Sequence, residues 1–216
     1  MDIVIAGGHG QIALHLARLL AERGDRVRGL IRNPAHAADV QARGAEAGVC
    51  DLEALDVDAI AAAIGTADAF VFAAGAGPGS GPQRKWTVDY AGAVKGMEAC
   101  RRNGIGRYVI VSSINADPEA DDDGGSGTYL RAKGQADKKL TESGLAYTIV
   151  RPGRLTDDGP TGHVRAATGT GGGEIPRADV AAVVAEVLAT PATSGLAFEL
   201  VSGPDPIPAA LAALAG

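Results

Sequence analysis

Ile3-Val4-Ile5-Ala6-Gly7-Gly8-His9-Gly10-Gln11-Ile12-Ala13 opens the chain with a short apolar run, a glycine turn and the start of a helical pattern. A strand that ends in glycines and reopens as a helix lets backbone approach a phosphate closely. The helix N-terminus then offers free N–H groups and a positive dipole end to the anion. A glycine triplet alone is weak, because many turns use glycine. Here it follows the first strand and begins a series of strand-helix units, which favours nucleotide binding over a purely structural turn. Ala13, at the third small position, still permits close packing of helix on strand.

Outward from this turn, strand and helix signals alternate. The runs Ile3–Ala6, Val27–Ile31, Val49 with its neighbours, Ala69–Ala73, Tyr108–Val111, Tyr147–Val150 and Phe198–Val201 read as seven short strands bounded by Gly, Pro or Asp. Between them, Gln11–Arg23, Pro34–Arg43, Leu55–Ile64, Lys85–Arg102, Tyr129–Glu142 and Ala178–Leu188 read as helices, most closed by glycine. This order predicts the α/β class, a doubly wound, mostly parallel sheet with helices on both faces. The length of 216 residues suits one domain spanning 1–216, with substrate-side elements at about 154–177 and in the C-terminal segment. Two stretches break the rhythm. Ala116–Thr128 is acidic but lacks the ligand spacing of a calcium loop, so it reads as a solvated loop with no metal. The Gly- and Thr-rich stretch Thr156–Gly173 reads as the substrate-side loop.

A formal net charge of −6, with basic residues scattered among acidic ones, provides no stripe to neutralise a nucleic acid backbone. Cys50 and Cys100 have neither metal-type spacing nor a secreted disulfide framework. With no charged leader and no apolar stretch long enough to span a bilayer, the expectations are a cytoplasmic protein, no membrane partner and a small-molecule substrate.

Ligands of such a sheet sit at the carboxyl ends of its strands. After the second strand, Ile31-Arg32-Asn33-Pro34 puts Arg32 where an NAD site usually holds an acid. A guanidinium forks onto a 2′-phosphate, so NADP(H) is expected in preference to NAD(H). Asp51 either accepts from an adenine amine or caps the following helix. Ala73-Ala74-Gly75-Ala76-Gly77 is small enough for close approach to a cofactor ribose. Ser112 and Ser113 follow the fifth strand, and Tyr129 and Lys133 share a helix face at i and i+4. There the ammonium can lower the phenol's pKa and reach a ribose, while tyrosine and serine deliver and orient a proton at a carbonyl oxygen. His163 reads as a solvated loop histidine, Asp179 as a capping or structural acid, and Trp86 and Tyr90 as packing residues.

Taken together with Val88-Asp89-Tyr90-Ala91-Gly92, Arg107-Tyr108-Val109-Ile110-Val111-Ser112-Ser113 and Tyr147-Thr148-Ile149-Val150-Arg151-Pro152-Gly153, these motifs resemble the short-chain dehydrogenase/reductase superfamily. The resemblance is to its small, atypical NAD(P)H-binding branch, related to NmrA-like proteins and flavin or biliverdin reductases, and it covers nearly the whole chain. It implies a Rossmann fold in which Gly7, His9, Gly10, Gln11 and Ile12 line the pyrophosphate and Arg32 meets the 2′-phosphate. It places Asp51 and Leu52 at the adenine, Ala73, Ala74 and Gly75 beside the ribose, Lys133 on the nicotinamide ribose, and Pro152 and Gly153 beside the nicotinamide. Ser113 and Tyr129 match the catalytic serine and tyrosine. The implied function is an NADP(H)-dependent oxidoreductase of a small carbonyl, quinone or flavin-like acceptor, working as a monomer or homodimer. The alternatives are an NADP(H)-sensing binding protein without turnover and a nucleotide-sugar epimerase or dehydratase.

Overall fold

Alternating burial along each strand decides how the layers assemble. In β1 (Asp2–Ala6), Ile3 and Ile5 join one apolar cluster while Val4 and Ala6 join another, so each face of the sheet needs its own cover. The computed structural model describes residues 1–77 and 79–216. From β1 the chain runs into α1 (Gln11–Glu22), β2 (Arg26–Ile31), a 3-10 turn (Pro34–His36), α2 (Ala37–Gln41), β3 (Glu46–Val49), α3 (Val57–Ile64) and β4 (Ala69–Phe72). A short helix α4 (Pro82–Arg84) continues through a π-helical turn (Lys85–Tyr90) into α5 (Ala91–Arg102). Then come β5 (Arg107–Val111), α6 (Ser126–Thr141) and β6 (Ala146–Pro152). The C-terminal part holds β7 (Arg154–Thr156), β8 (His163–Ala167), β9 (Glu174–Pro176), α7 (Arg177–Ala189), β10 (Leu196–Ser202), β11 (Asp205–Pro206) and α8 (Ile207–Ala215).

Among the described residues nine strands form one sheet in the order β11-β8-β10-β6-β5-β4-β1-β2-β3, and β7 pairs with β9 apart from it. All neighbours from β3 to β10 are parallel, and only β8 and β11 run antiparallel to theirs. Residues of α1 and α7 pack in the cluster with Ile3 and Ile5, and residues of α3, α5 and α6 in the cluster with Phe70 and Phe72. This is the doubly wound Rossmann-like α/β fold that the alternation predicts. β2 lies on one side of β1 and β4 on the other, so the order reverses beside β1 and opens a crevice above its carboxyl end.

Among the described residues, eleven strands stand where seven are expected. The stretch Thr156–Gly173 is not all loop, because β8 lies within it. As an antiparallel edge strand β8 needs only one buried face, and Val164 is buried between exposed His163 and Arg165, so no continuous apolar run announces it. The structure also adds α8, with Ile207, Ala210 and Leu211 buried along one side of it. Helix starts moved too: the 85–102 helix begins at Pro82, the 129–142 helix at Ser126, and Pro34–Arg43 divides into a 3-10 turn and α2. No helix among the described residues is long and apolar enough to cross a membrane.

Candidate active site

The glycine turn is held by backbone contacts that leave no room for a side chain. Gly7 has a φ of +78°, and a Cβ there would stand 2.6 Å from the Cα of Ala74. A Cβ on Gly8 would stand 2.7 Å from the Cα of Gly29 in β2, whose neighbour Leu30 accepts from the Gly8 N–H at 2.8 Å. The loops after β1 and β4 therefore touch, and the turn rests on the middle of β2. Gly10 precedes α1, whose first turn carries no acidic residue to oppose an anion. Replacing Gly7 by Ala combines a disfavoured φ with a backbone clash. The expected result is NADPH binding weakened by about tenfold or more, read by calorimetry with circular dichroism as the folding control.

Above the carboxyl ends of β1 to β4 lies a cavity of about 410 Å³. Gly7, His9, Gly10, Arg32, Asp51, Leu52, Ala73, Ala74 and Gly75 line it, and so do Asn33, His36, Cys50, Glu53, Ala76 and Arg84. The other sequence-derived candidates, Gln11, Ile12, Ser113, Tyr129, Lys133, Pro152 and Gly153, are not among its lining residues. Asp51 does not cap α3: its Oδ1 accepts the Glu53 N–H at 2.9 Å within its own turn, and Asp56 caps α3 by accepting from Ala59 at 2.9 Å. His9 Nε2 lies 2.8 Å from Asp39, and its ring stacks on His36 at 3.7 Å.

The two serines that follow β5 differ in their surroundings. Ser112 is buried and donates to Asp137 at 2.9 Å, and Asp137 also accepts from Arg151 Nε at 2.9 Å. Burial pushes the Asp137 carboxyl above the usual carboxylate range, with Arg151 and the Ser112 hydroxyl opposing the shift. Ser113 is half-buried, and its hydroxyl donates to the adjacent Ile114 carbonyl at 3.2 Å. The Ile114 N–H donates to the Pro152 carbonyl at 3.0 Å, so Ser113 and Pro152 meet at neighbouring strand ends.

Lys133 is 3% exposed, one turn beyond Tyr129 on α6. Its ammonium lies 3.2 Å from the Asp89 carboxylate and donates to the Val111 carbonyl at 3.2 Å. Burial is the largest influence and works against this charge, but Asp89 together with Tyr129 and Asp137 outweighs it, and the Lys133 pKa stands above the ordinary lysine value. Asp89 also accepts the Ala76 N–H at 3.1 Å, which ties the loop after β4 to the lysine. Lys85 Nζ sits 5.4 Å from the Tyr129 ring centre and donates to the Gly77 carbonyl at 2.7 Å.

Sequence reasoning gave no role to Asp89, Glu53, Arg84 or Lys85. The need of a buried lysine for a counter-ion was the available signal for Asp89. The others depend on the π-helical turn and on the fold of the 51–55 segment. In the acidic loop, Asp123 accepts backbone N–H groups of Gly125 and Gly127 at 2.7 and 3.1 Å, so its carboxylate stabilises the start of α6. Asp179, fully buried, accepts from the Thr161 and Gly162 N–H groups and the Thr161 hydroxyl, pinning the loop before β8. His163 is exposed but lies in β8, with its Nδ1 2.9 Å from the Thr161 carbonyl. Trp86 and Tyr90 pack edge to face at 5.8 Å.

A nicotinamide dinucleotide fits these features: backbone close to the turn, small residues after β4, and guanidinium groups at the cavity rim. The sugar epimerase YhfK of Bacillus subtilis, whose name marks it as uncharacterised, is 38% identical over 98% of this chain and 99% of its own. A solved chain from Bacillus halodurans, provisionally named an NAD-dependent epimerase/dehydratase, superposes with a TM-score of 0.90 at 34% identity, covering 96% of this chain and 97% of that one. The oxidoreductase YlbE from Lactococcus lactis superposes with a TM-score of 0.86 at 28% identity, covering 99% and 96%. A family model described as NAD(P)H-binding matches residues 7–191, and the chain belongs to that NAD(P)H-binding family.

Proposed function

We propose that the chain is an NADP(H)-dependent oxidoreductase acting on a small carbonyl, quinone or flavin-like acceptor. The observation that carries this reading is the cavity over β1 to β4, walled by glycine-turn backbone and small residues, with Arg32 and Arg84 on its rim. Gly7, His9, Gly10, Gln11 and Ile12 would hold the pyrophosphate, Arg32 the 2′-phosphate, Asp51 and Leu52 the adenine, and Ala73, Ala74 and Gly75 the adenosine ribose. Lys133, Pro152 and Gly153 would hold the nicotinamide half. The bound nucleotide supplies the hydride.

The protein's own residues supply the proton and the orientation. Tyr129 donates the proton to the acceptor oxygen, and Ser113, whose hydroxyl donates to its neighbour's carbonyl, swings that hydroxyl onto the same oxygen. Lys133 has three N–H donors, and Asp89 and Val111 engage two of them, which leaves one for a ribose hydroxyl. The same engagement favours a second reading, a cofactor sensor without turnover, because this ammonium also serves as a structural fastener. An epimerase role, as in the name of the Bacillus subtilis relative, is less well supported. After Gly153 the chain extends the sheet with β8, β10 and β11 and covers it with α7 and α8, rather than building a sugar-binding domain.

Calorimetry with NADPH and NADH, followed by NADPH absorbance against quinones, flavins and aldehydes, tests the proposal. The expected result is tighter binding of NADPH together with its oxidation by at least one acceptor. Binding without oxidation supports the sensor, and no binding of either nucleotide removes both readings.

A further inference from the structure

The cavity rim carries an anion that the chain itself provides. Glu53 Oε1 accepts from the Thr87 hydroxyl at 2.7 Å, and Oε2 accepts from Arg84 through Nε at 3.2 Å and through Nη2. Arg32 Nη1 reaches the same Oε2 at 3.3 Å. The two rim guanidiniums therefore converge on one carboxylate. Hydrogen bonds from Arg84, with Thr87 and Arg32 adding to them against modest burial, hold the Glu53 carboxyl below the usual glutamate range. The backbone beneath Glu53 is fixed as well, because Lys95 Nζ donates to the carbonyls of Leu52, Glu53 and Leu55 at 2.9, 3.2 and 2.8 Å. A competing anion would therefore displace the Glu53 side chain from the guanidiniums and leave its backbone in place.

A phosphate monoester carries about −1.5 to −2 charges at neutral pH and three acceptor oxygens, so it can take over both guanidiniums from a single carboxylate. An unphosphorylated ribose instead offers hydroxyl donors, which suit a carboxylate left in place. We infer that Arg32 and Arg84 together form the 2′-phosphate subsite and that Glu53, seated in it, is the specificity-determining residue that holds down the preference for NADP(H) over NAD(H). This rests on the proposed NADP(H) reading and adds Arg84 and Glu53 to it. Each 2′-phosphorylated ligand must displace Glu53 before it gains its two arginines, whereas NAD(H) meets no such competitor.

The test uses cofactor fragments and needs no turnover. Calorimetry of the full chain with 2′,5′-ADP and 5′-AMP compares wild type, Glu53→Gln, Arg32→Gln and the double variant Glu53→Gln/Arg84→Gln, with melting temperatures as the folding control. Glu53→Gln removes the charge and keeps the shape. The expected result is affinity for 2′,5′-ADP raised by about tenfold, 5′-AMP changed by less than about twofold, and the gain lost in the double variant. A wild-type preference for 2′,5′-ADP that falls in Arg32→Gln but does not change in Glu53→Gln overturns the role of Glu53 and leaves the NADP(H) reading standing. Equal affinity for the two fragments in every variant overturns the NADP(H) reading and this inference with it.

Discussion

On the proposed mechanism, replacing Tyr129 by Phe is expected to lower kcat by about 10²- to 10⁴-fold, the range that one positioned proton donor contributes, equivalent to about 3–5 kcal/mol of barrier. NADPH affinity stays within about twofold, because a proton donor acts in the reaction rather than on the bound nucleotide. The substitution removes only a hydroxyl. The half-buried ring stays on α6, with Lys85 Nζ still able to sit over its face at 5.4 Å. Steady-state kinetics with the acceptor found in the screen, and calorimetry on the same preparation, separate the two quantities. A kcat within about threefold of wild type removes Tyr129 from proton delivery. A kcat that falls together with NADPH affinity makes the tyrosine part of the cofactor site.

The parts of this molecule that could be read from its sequence are those written as local pattern. Ile3–Ala6 running through glycines into α1 is a contiguous signal, and the alternation of apolar strands with glycine-closed helices carries the layer architecture, because a parallel sheet buries both faces. Gly7 and Gly10 could be placed in the turn after β1, which lines the cavity, for the same reason. What was hidden lies in contacts between distant segments. Gly29 looks like a weak point in β2 until Gly8 is seen resting on it. Asp89 looks like one more helical acid until the π-helical turn sets it beside Lys133 and the Ala76 N–H. Asp51 and Asp56 are both plausible caps, and which one caps α3 depends on where the helix starts. β8 is hard to read from sequence because an edge strand with one buried face leaves little apolar signal among glycines and threonines.

Removing Asp89 is expected to destabilise the fold by about 3–5 kcal/mol, because it leaves the Lys133 ammonium buried without its counter-ion. The lysine keeps the Val111 carbonyl, and the nearby Asp137 carboxylate offsets part of the loss, but neither replaces a partner at 3.2 Å. The folded pKa of Lys133 is raised, so the stabilisation is fully present below the unfolded lysine value of about 10.4 and is lost as pH rises through the folded value. Urea unfolding at neutral pH therefore measures the whole contribution. Asp89→Ala and Lys133→Met should each unfold at lower urea, and Asp89→Leu/Lys133→Met should recover much of the loss, because no buried charge is then left unpaired. Cofactor binding should not recover in parallel. Asp89 also holds the Ala76 N–H at 3.1 Å, and Ala76 lines the cavity, so every variant without Asp89 loosens that wall. A loss of less than about 1 kcal/mol in Asp89→Ala would mean that water or Asp137 satisfies the ammonium. Stability that recovers in the double variant identifies the pair as a fastener of the core, and NADPH affinity that falls in Asp89→Ala, which keeps Lys133, identifies the loop that shapes the cavity as its second load.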